Sequence, residues 1–309
     1  MKSIYTENVL PHLQEWRQAG DATALVTLAR IEGSSPRPLG SQMAVNDRGE
    51  AAGLITGGCA EAAIIAEAQK AIASGSNRCV RFGVGSPYMD IRLPCGSGID
   101  VFFDVTIKNE TISEILKAQD ERRACAIAID LTENHAALCP PQNEHPEDRC
   151  VKIYTPQTRL LIVGKGAIVP FAAQLAALAD METHIYSPEE ETLEACLPYG
   201  AITTRLSSDR EVFGLDLDEW TGVVTLFHEH EWELCFLQQA VLSKCFYIGA
   251  LGSRRTHADR LVMLKDLGLR EDQLKFIRGP VGLDIGAKSP PEIAFSIIAE
   301  IIEARREKL

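Results

Sequence analysis

Residues 160–187 read LLIVGKGAIVPFAAQLAALADMETHIYS, and this stretch decides the fold of the second half of the chain. Its first residues, Leu160 to Val163, form a short apolar run that is typical of a buried strand. A glycine turn follows, then an Ala-rich helical pattern, then a second short run at His184-Ile185-Tyr186. Strand, glycine turn, helix and strand in immediate succession make a βαβ unit, which predicts a Rossmann-type domain with a doubly wound parallel sheet.

The turn of this unit, Gly164-Lys165-Gly166, is also a candidate ligand site. Glycines let the backbone turn sharply and come close to a bound phosphate, and the helix N-terminus adds free N–H groups with a partial positive charge. Lys165 would contribute a point charge. The sequence therefore predicts that these three residues contact a phosphate-bearing cofactor.

Two features depart from a nicotinamide-binding pattern. The third position of the glycine fingerprint is Val169, followed by Pro170, which a first helical turn tolerates. An NAD site usually has an acid at the end of the second strand, where this chain has Ser187, with Glu189 two residues further on. The pattern favours a nucleotide-binding fold but argues against NAD as the ligand. A missing acid is compatible with NADP.

Composition limits the other possibilities. A chain of 309 residues is long enough for two domains, and 46% hydrophobic with 24% charged residues is ordinary for a soluble globular protein. The net charge of −12 argues against nucleic-acid binding and against anionic membranes, and we expect neither partner. Nine cysteines without a CxxC pair indicate free thiols in a reducing compartment, so we expect a cytoplasmic protein.

The predicted elements divide the chain near Pro156. Residues 1–155 combine strands with helices and two Gly-rich loops, which predicts an α+β domain whose first helix covers 6–19. Residues 156–309 alternate strands and helices, as the Rossmann-type domain requires, and their loops should share one carboxyl edge. The last helix is predicted to open at Pro290-Pro291.

Two cysteines of the first domain are candidates for chemistry. Cys59 follows two glycines at the predicted start of a helix, where the helix dipole and free N–H groups would lower a thiol pKa. It could equally be a small buried residue under a turn. Cys95 lies in a loop without an apolar run, which favours a functional thiol.

Charged residues on three further loops could bind an anionic ligand. Arg37, on a proline-stiffened loop, could clamp a phosphate or carboxylate, or could simply be a solvated arginine. Ser253-Arg254-Arg255 follows a strand and opens a helix, which predicts a second anion site at the same sheet edge. Asp284 lies on a third such loop and could accept hydrogen bonds from a ligand, although that loop could be only a tight connection.

His228-Glu229-His230 also follows a strand and is a weak candidate for a metal site. Two histidines at i and i+2 could share a face, but the spacing supplies no third ligand. We therefore predict no metal site. The chain also lacks the Tyr-x-x-x-Lys pair of one large group of nicotinamide reductases.

Five blocks of the sequence resemble the signature blocks of the XdhC/CoxI family, and together they cover both domains. They are Gly33-Ser34-Ser35-Pro36-Arg37-Pro38-Leu39-Gly40, Gly57-Gly58-Cys59-Ala60-Glu61, the Cys95 loop, residues 247–256 (YIGALGSRRT) and residues 278–287 (RGPVGLDIGA). The resemblance implies an accessory protein that binds molybdenum cofactor, supports its sulfuration with a cysteine desulfurase and delivers it to an apo molybdenum hydroxylase of the xanthine dehydrogenase type. It also implies a homodimer.

Two positions depart from the family: Ser187 replaces the acid after the second strand, and Ala167 stands where many members have His. Molybdenum cofactor carries a phosphate and a dithiolene, so it suits the glycine turn, the arginine loop and soft thiolates. We expect a binding and delivery protein rather than an enzyme with turnover, and the mono- or dinucleotide form stays open. An NAD(P)-dependent oxidoreductase is the alternative, and a regulatory partner with a relic nucleotide fold is a third possibility. The predicted cofactor-binding residues are Arg37, Cys59, Cys95, Gly164, Lys165, Gly166, Ser253, Arg254, Arg255 and Asp284.

Overall fold

The structure is a computed structural model that describes residues 6–58, 60–86, 98–142, 148–209, 214–227 and 230–308. The chain divides into two compact units, Met1–Pro156 and Gln157–Leu309.

The first unit contains two antiparallel sheets. One has five strands in the order β3-β2-β1-β5-β4, and the other has three in the order β7-β6-β8. In chain order its elements are α1 (Leu10–Gln18), β1 (Thr23–Glu32), β2 (Gln42–Asn46), β3 (Ala51–Gly53), α2 (Glu61–Ser74), β4 (Arg78–Gly83), β5 (Gly98–Asp104), α3 (Asn109–Asp120), β6 (Cys125–Asp130), β7 (His135–Cys139) and β8 (Arg149–Tyr154).

Strand β1 is central to this unit because it is buried on both faces. Successive side chains of a strand point to opposite sides, so one set packs with α2 and the other with α1 and the smaller sheet. Ala24 and Val26 belong to the first of these cores, and Leu25 and Ala29 to the second. The result is an α+β unit with a hydrophobic core on each side of the larger sheet.

The second unit contains one parallel sheet of six strands in the order β11-β10-β9-β12-β13-β14. Counted from its first strand this order is 3-2-1-4-5-6, the Rossmann order. In chain order its elements are β9 (Arg159–Gly164), α4 (Ile168–Leu178), β10 (Glu182–Ser187), α5 (Glu190–Cys196), β11 (Ile202–Arg205), β12 (Thr221–Leu226), α6 (Leu234–Val241), β13 (Tyr247–Ala250), α7 (Arg254–Asp266), α8 (Glu271–Leu274), β14 (Ile277–Arg278) and α9 (Pro290–Lys308).

Helices cover both faces of this sheet, so its central strands are continuous apolar runs. In β9, Leu160 and Ile162 pack into the core beneath α4 and α9, while Leu161 packs into the opposite core, which includes residues of α6 and α7. Gly164 ends the strand against β12, where an added Cβ would lie 2.7 Å from the Cβ of Leu226. Close packing of the two strands therefore requires a glycine at this position.

The predicted fold class is confirmed: the second unit is a Rossmann-type parallel sheet, and the βαβ unit of residues 160–187 lies at its centre. Two details differ from the sequence prediction. Helix α1 begins at Leu10 rather than at residue 6, and the short strands β7, β11 and β14 are additional to the predicted ones. Among the described residues, no helix combines the length and apolar character that crossing a membrane requires.

Candidate functional site

The loops after β9, β12, β13 and β14 lie along one edge of the sheet because all four strands are parallel neighbours. The strand order reverses beside β9, and such switch points are where open α/β sheets bind ligands. Strands β9 and β13 are both paired with β12. At a strand spacing of about 4.8 Å, the turn after β9 and the loop after β13 are therefore roughly 10 Å apart.

The glycine turn after β9 is formed as predicted, but its amide is occupied. Gly166 has a φ of +79°, which favours glycine. Its N–H donates to Thr192 Oγ1 at 3.0 Å, and that hydroxyl donates to Glu189 Oε2 at 2.9 Å. Glu189 is exposed, so a carboxylate lies next to this turn. Lys165, between the two glycines, is half-buried.

The loop after β13 leads into the N-terminus of α7, a helix of 13 residues. Ser253 is the N-cap residue, and its Oγ accepts a hydrogen bond from the Thr256 N–H at 3.1 Å. Arg254 and Arg255 occupy the first turn and are exposed. Within the described ranges, neither guanidinium has a hydrogen-bond or ion-pair partner. Two cations on a helix N-terminus repel the helix dipole, so this turn is suited to an anion.

Beneath this loop lies a buried ionic network that sequence reasoning missed. The side chains of Arg260 and Glu233 are both 0% exposed, and Arg260 Nε donates to Glu233 Oε1 at 2.6 Å. Thr225 Oγ1 donates to the other carboxylate oxygen at 2.7 Å. Arg260 Nη2 also donates to the Leu251 carbonyl at 2.5 Å. The network thereby links the end of β12 to the backbone of the loop that carries Arg254 and Arg255.

His257 connects this network to the loop after β14. Its Nδ1 lies 3.3 Å from Arg260 Nη1. A Cβ on Gly279 would lie only 2.1 Å from the same Nδ1, so the imidazole packs directly on the glycine backbone. Burial lowers the pKa of His257, and the Arg260 charge lowers it further.

The loop after β14 is held by a nearly buried carboxylate on α9. Glu300 Oε2 accepts hydrogen bonds from the Tyr247 hydroxyl at 2.5 Å and from the Gly282 N–H at 2.8 Å. Burial raises the pKa of Tyr247, and its bond to Glu300 raises it further. Asp284, two residues after Gly282, is exposed and stands on the predicted edge. Glu300 therefore fixes the backbone from which the Asp284 side chain projects.

In the first unit, Arg37 and the loop before α2 are each bonded to a carboxylate of the same unit. Arg37 Nη2 lies 2.6 Å and 2.8 Å from the two Glu7 carboxylate oxygens. The Glu61 carboxylate accepts backbone N–H groups from residues 55–58 and 60, including Thr56 at 2.7 Å and Gly58 at 2.7 Å. Burial raises the pKa of Glu61, but these bonds together with the Thr56 hydroxyl outweigh it, and the net shift is downward.

Cys59 and Cys95 lie outside the described residues, as do His228 and Glu229. The structure describes the other seven cysteines, and all are free thiols. Burial raises the pKa of Cys79, Cys150 and Cys196 to about 11, which is typical of unreactive core thiols. In the part of the chain that the structure describes, no three His, Cys, Asp or Glu side chains form a group that could hold a metal ion.

Comparison with known proteins agrees with the resemblance seen in the signature blocks. Residues 16–83 match the XdhC and CoxI family, and residues 160–301 match the XdhC Rossmann domain. A molybdenum cofactor insertion chaperone from Escherichia coli strain K12, PaoD, is 32% identical over 96% of this chain and 88% of its own length. The chain belongs to the XdhC and CoxI family.

Another relative, from Bacillus subtilis strain 168, is named as a probable xanthine dehydrogenase subunit. It is 25% identical over 93% of this chain and 94% of its own length. Among solved structures, a Bacillus halodurans protein described as a xanthine dehydrogenase has the same fold, with a TM-score of 0.78. It is 21% identical, and the superposition covers 97% of this chain and 96% of the other.

Proposed function

We propose that this protein binds molybdenum cofactor and inserts it into an apo molybdenum hydroxylase of the xanthine dehydrogenase type. Membership of the XdhC and CoxI family supports this function, and so does the identity to an insertion chaperone over nearly the whole chain. The Bacillus subtilis relative, by its name, supports the class of client.

The observation that carries the proposal is the arginine pair at the N-terminus of α7. Arg254 and Arg255 are exposed and lack protein partners among the described residues, although they stand where the helix dipole disfavours cations. A phosphate would be stabilised by both guanidinium groups and by the α7 backbone N–H groups. Molybdenum cofactor ends in a phosphate, so the donors present fit this part of the ligand.

The predicted thiols complete the proposal in the first unit. Cys59 and Cys95 would hold the molybdenum–sulfur end of the cofactor or a transferable sulfur, because thiolates are soft ligands. Sulfuration would use a cysteine desulfurase as the sulfur source. We further propose a homodimer that works in the cytoplasm, with no nucleic acid among its partners.

Co-elution tests the binding step. Cofactor released from a denatured molybdoenzyme is mixed with the protein under reducing, anaerobic conditions, desalted, and assayed as its fluorescent oxidised pterin. We expect retention near one pterin per chain, and a loss of about tenfold or more in the affinity of a double Arg254→Ala, Arg255→Ala variant. Arg270→Ala, which removes an exposed arginine paired with Asp272 in the same unit, is the matched control and should retain the cofactor. Equal retention by all three proteins would refute the assignment of the α7 turn.

A nicotinamide nucleotide is the second candidate ligand, favoured by the Rossmann strand order and the positive φ of Gly166. The Gly166 amide is already bonded to Thr192, and Glu189 lies beside it, which opposes the diphosphate. Titration with NADPH, followed by its fluorescence, distinguishes the two. Saturable NADPH binding without pterin retention would replace the chaperone with an oxidoreductase.

A further inference from the structure

The half-buried imidazole of His257 is held between two loops of the candidate edge. One edge of the ring, at Nδ1, faces the buried Arg260 guanidinium and packs on the Gly279 backbone. His257 also lies in the same first turns of α7 as Arg254 and Arg255. Its ring is therefore positioned by the contact with Arg260 and by the backbone of the loop after β14.

This environment selects one protonation state. A guanidinium keeps its protons and has no acceptor atom, so in the contact with Arg260 the imidazole Nδ1 must accept. An imidazole that accepts at Nδ1 is neutral and carries its proton at Nε2. Two charged groups act on the pKa of the ring: Arg260 lowers it, and Glu233 raises it more weakly. The ring is thus a neutral donor fixed in one tautomer.

The Nε2–H donor has no acceptor among the residues that the structure describes. In the described ranges, the ring's one hydrogen-bond contact is the bond at Nδ1, and no protein atom accepts from Nε2. Arg260 is also bonded to Glu233 through Nε and to the Leu251 carbonyl through Nη2, so the His257 ring is the acceptor that faces Nη1. The ring therefore accepts from the buried guanidinium with Nδ1, and its Nε2–H, in the same first turns of α7 as two exposed arginines, is left for an acceptor on a ligand.

We propose that His257 is a ligand-binding residue whose Nε2–H donates to a phosphate oxygen of the cofactor bound at Ser253-Arg254-Arg255. This inference rests on the proposed function. It adds a neutral donor, which hydrogen-bonds to an acceptor atom of the ligand, to the two cations that attract the negative charge of the phosphate.

Substitution of His257 by Gln, Asn and Ala separates a ligand contact from a structural one. His257→Gln places an amide N–H near the position of Nε2, whereas His257→Asn places an amide oxygen near the position of Nδ1 and removes the distal donor. We expect Gln to bind released molybdenum cofactor within about threefold of the wild type, and Asn and Ala to bind about tenfold more weakly. Tight binding by Asn with weak binding by Gln would show a structural role and overturn the inference, as would equal binding by all variants.

Failure of the proposed function gives a different result, because the wild type itself would then retain no pterin. A second measurement does not depend on the ligand: ¹⁵N NMR of the histidine-labelled full chain, with the His257 signals assigned through the Gln variant. We expect an unprotonated Nδ1 and a protonated Nε2 at neutral pH. A protonated Nδ1, either as the other tautomer or as imidazolium, would overturn the inference whatever the protein binds.

Discussion

Removing Arg260 should destabilise the second unit more than any other single charge deletion at the edge. The partner carboxylate of Glu233 is 0% exposed and also accepts from the Thr225 hydroxyl, so Arg260→Leu would leave a buried charge without its cationic partner. Breaking a buried ion pair by removing one partner costs about 3–5 kcal/mol. For a unit of this size we expect a drop in Tm of roughly 6–20 °C.

The assay is urea unfolding of the full chain, with tryptophan fluorescence and circular dichroism recorded together because two units can unfold separately. A double variant, Arg260→Leu with Glu233→Leu, is the matched control. It removes both charges, so we expect it to recover most of the lost stability, since apolar replacement of a whole buried pair is often neutral. A single variant within about 1 kcal/mol of the wild type, or a double variant less stable than the single one, would refute the reasoning.

Three further predictions concern other contacts. Glu61→Gln should lower the free energy of unfolding by about 1–3 kcal/mol at neutral pH. Because the pKa of Glu61 is depressed in the folded state, the whole difference should be present above the ordinary pKa of the carboxyl and should shrink as pH falls through the folded-state pKa. A pH-independent difference would contradict this prediction. Gly164→Ala should cost about 1–3 kcal/mol by overpacking against Leu226, seen as a lower urea midpoint, whereas an unchanged midpoint would show that β9 and β12 can separate. Arg37→Ala should change stability by less than about 1 kcal/mol, because Glu7 is largely exposed, and a larger loss would mean that the Arg37–Glu7 pair is not a solvated contact.

The sequence could predict the Rossmann-type unit because its central strands are apolar and its glycine turn is local. It could not predict β11, an edge strand with the polar sequence Ile-Thr-Thr-Arg, because most of its positions contribute no apolar pattern. Strand β14 has two residues, Ile277 and Arg278, which is too short for any periodicity. Both strands depend on pairing with a neighbour that the sequence does not reveal.

The candidate site could be predicted only in part. The cap and the two arginines at 253–255 follow from local helix-start signals, which a sequence contains. Glu233 and Arg260 are 27 residues apart, and no spacing rule pairs residues at that distance. One signal was present: Arg260 lies four residues before the buried Leu264, on the apolar face of α7, where an arginine needs a buried partner.

The glycine turn shows why a motif can be right while the role of its residues differs. The motif predicts that Gly164 lets the backbone approach a phosphate, but in the structure this glycine also lets β9 pack against Leu226. The motif predicts a free Gly166 amide, and this N–H donates instead to Thr192 from the following helix. The hydroxyl that takes this amide comes from a residue 26 positions away, so local sequence could not reveal it.

The most direct test of the central claim is the molybdenum and pterin content of the protein purified anaerobically from cells that make the cofactor. We expect both in a one-to-one ratio, approaching one per chain, and a large loss of both when Arg254 and Arg255 are replaced by alanine. The background is set by the Arg270→Ala, Arg254→Ala, Arg255→Ala triple variant, purified from cells whose cofactor pool is intact. Cofactor binding would be contradicted if the wild-type protein contained neither molybdenum nor pterin above that background.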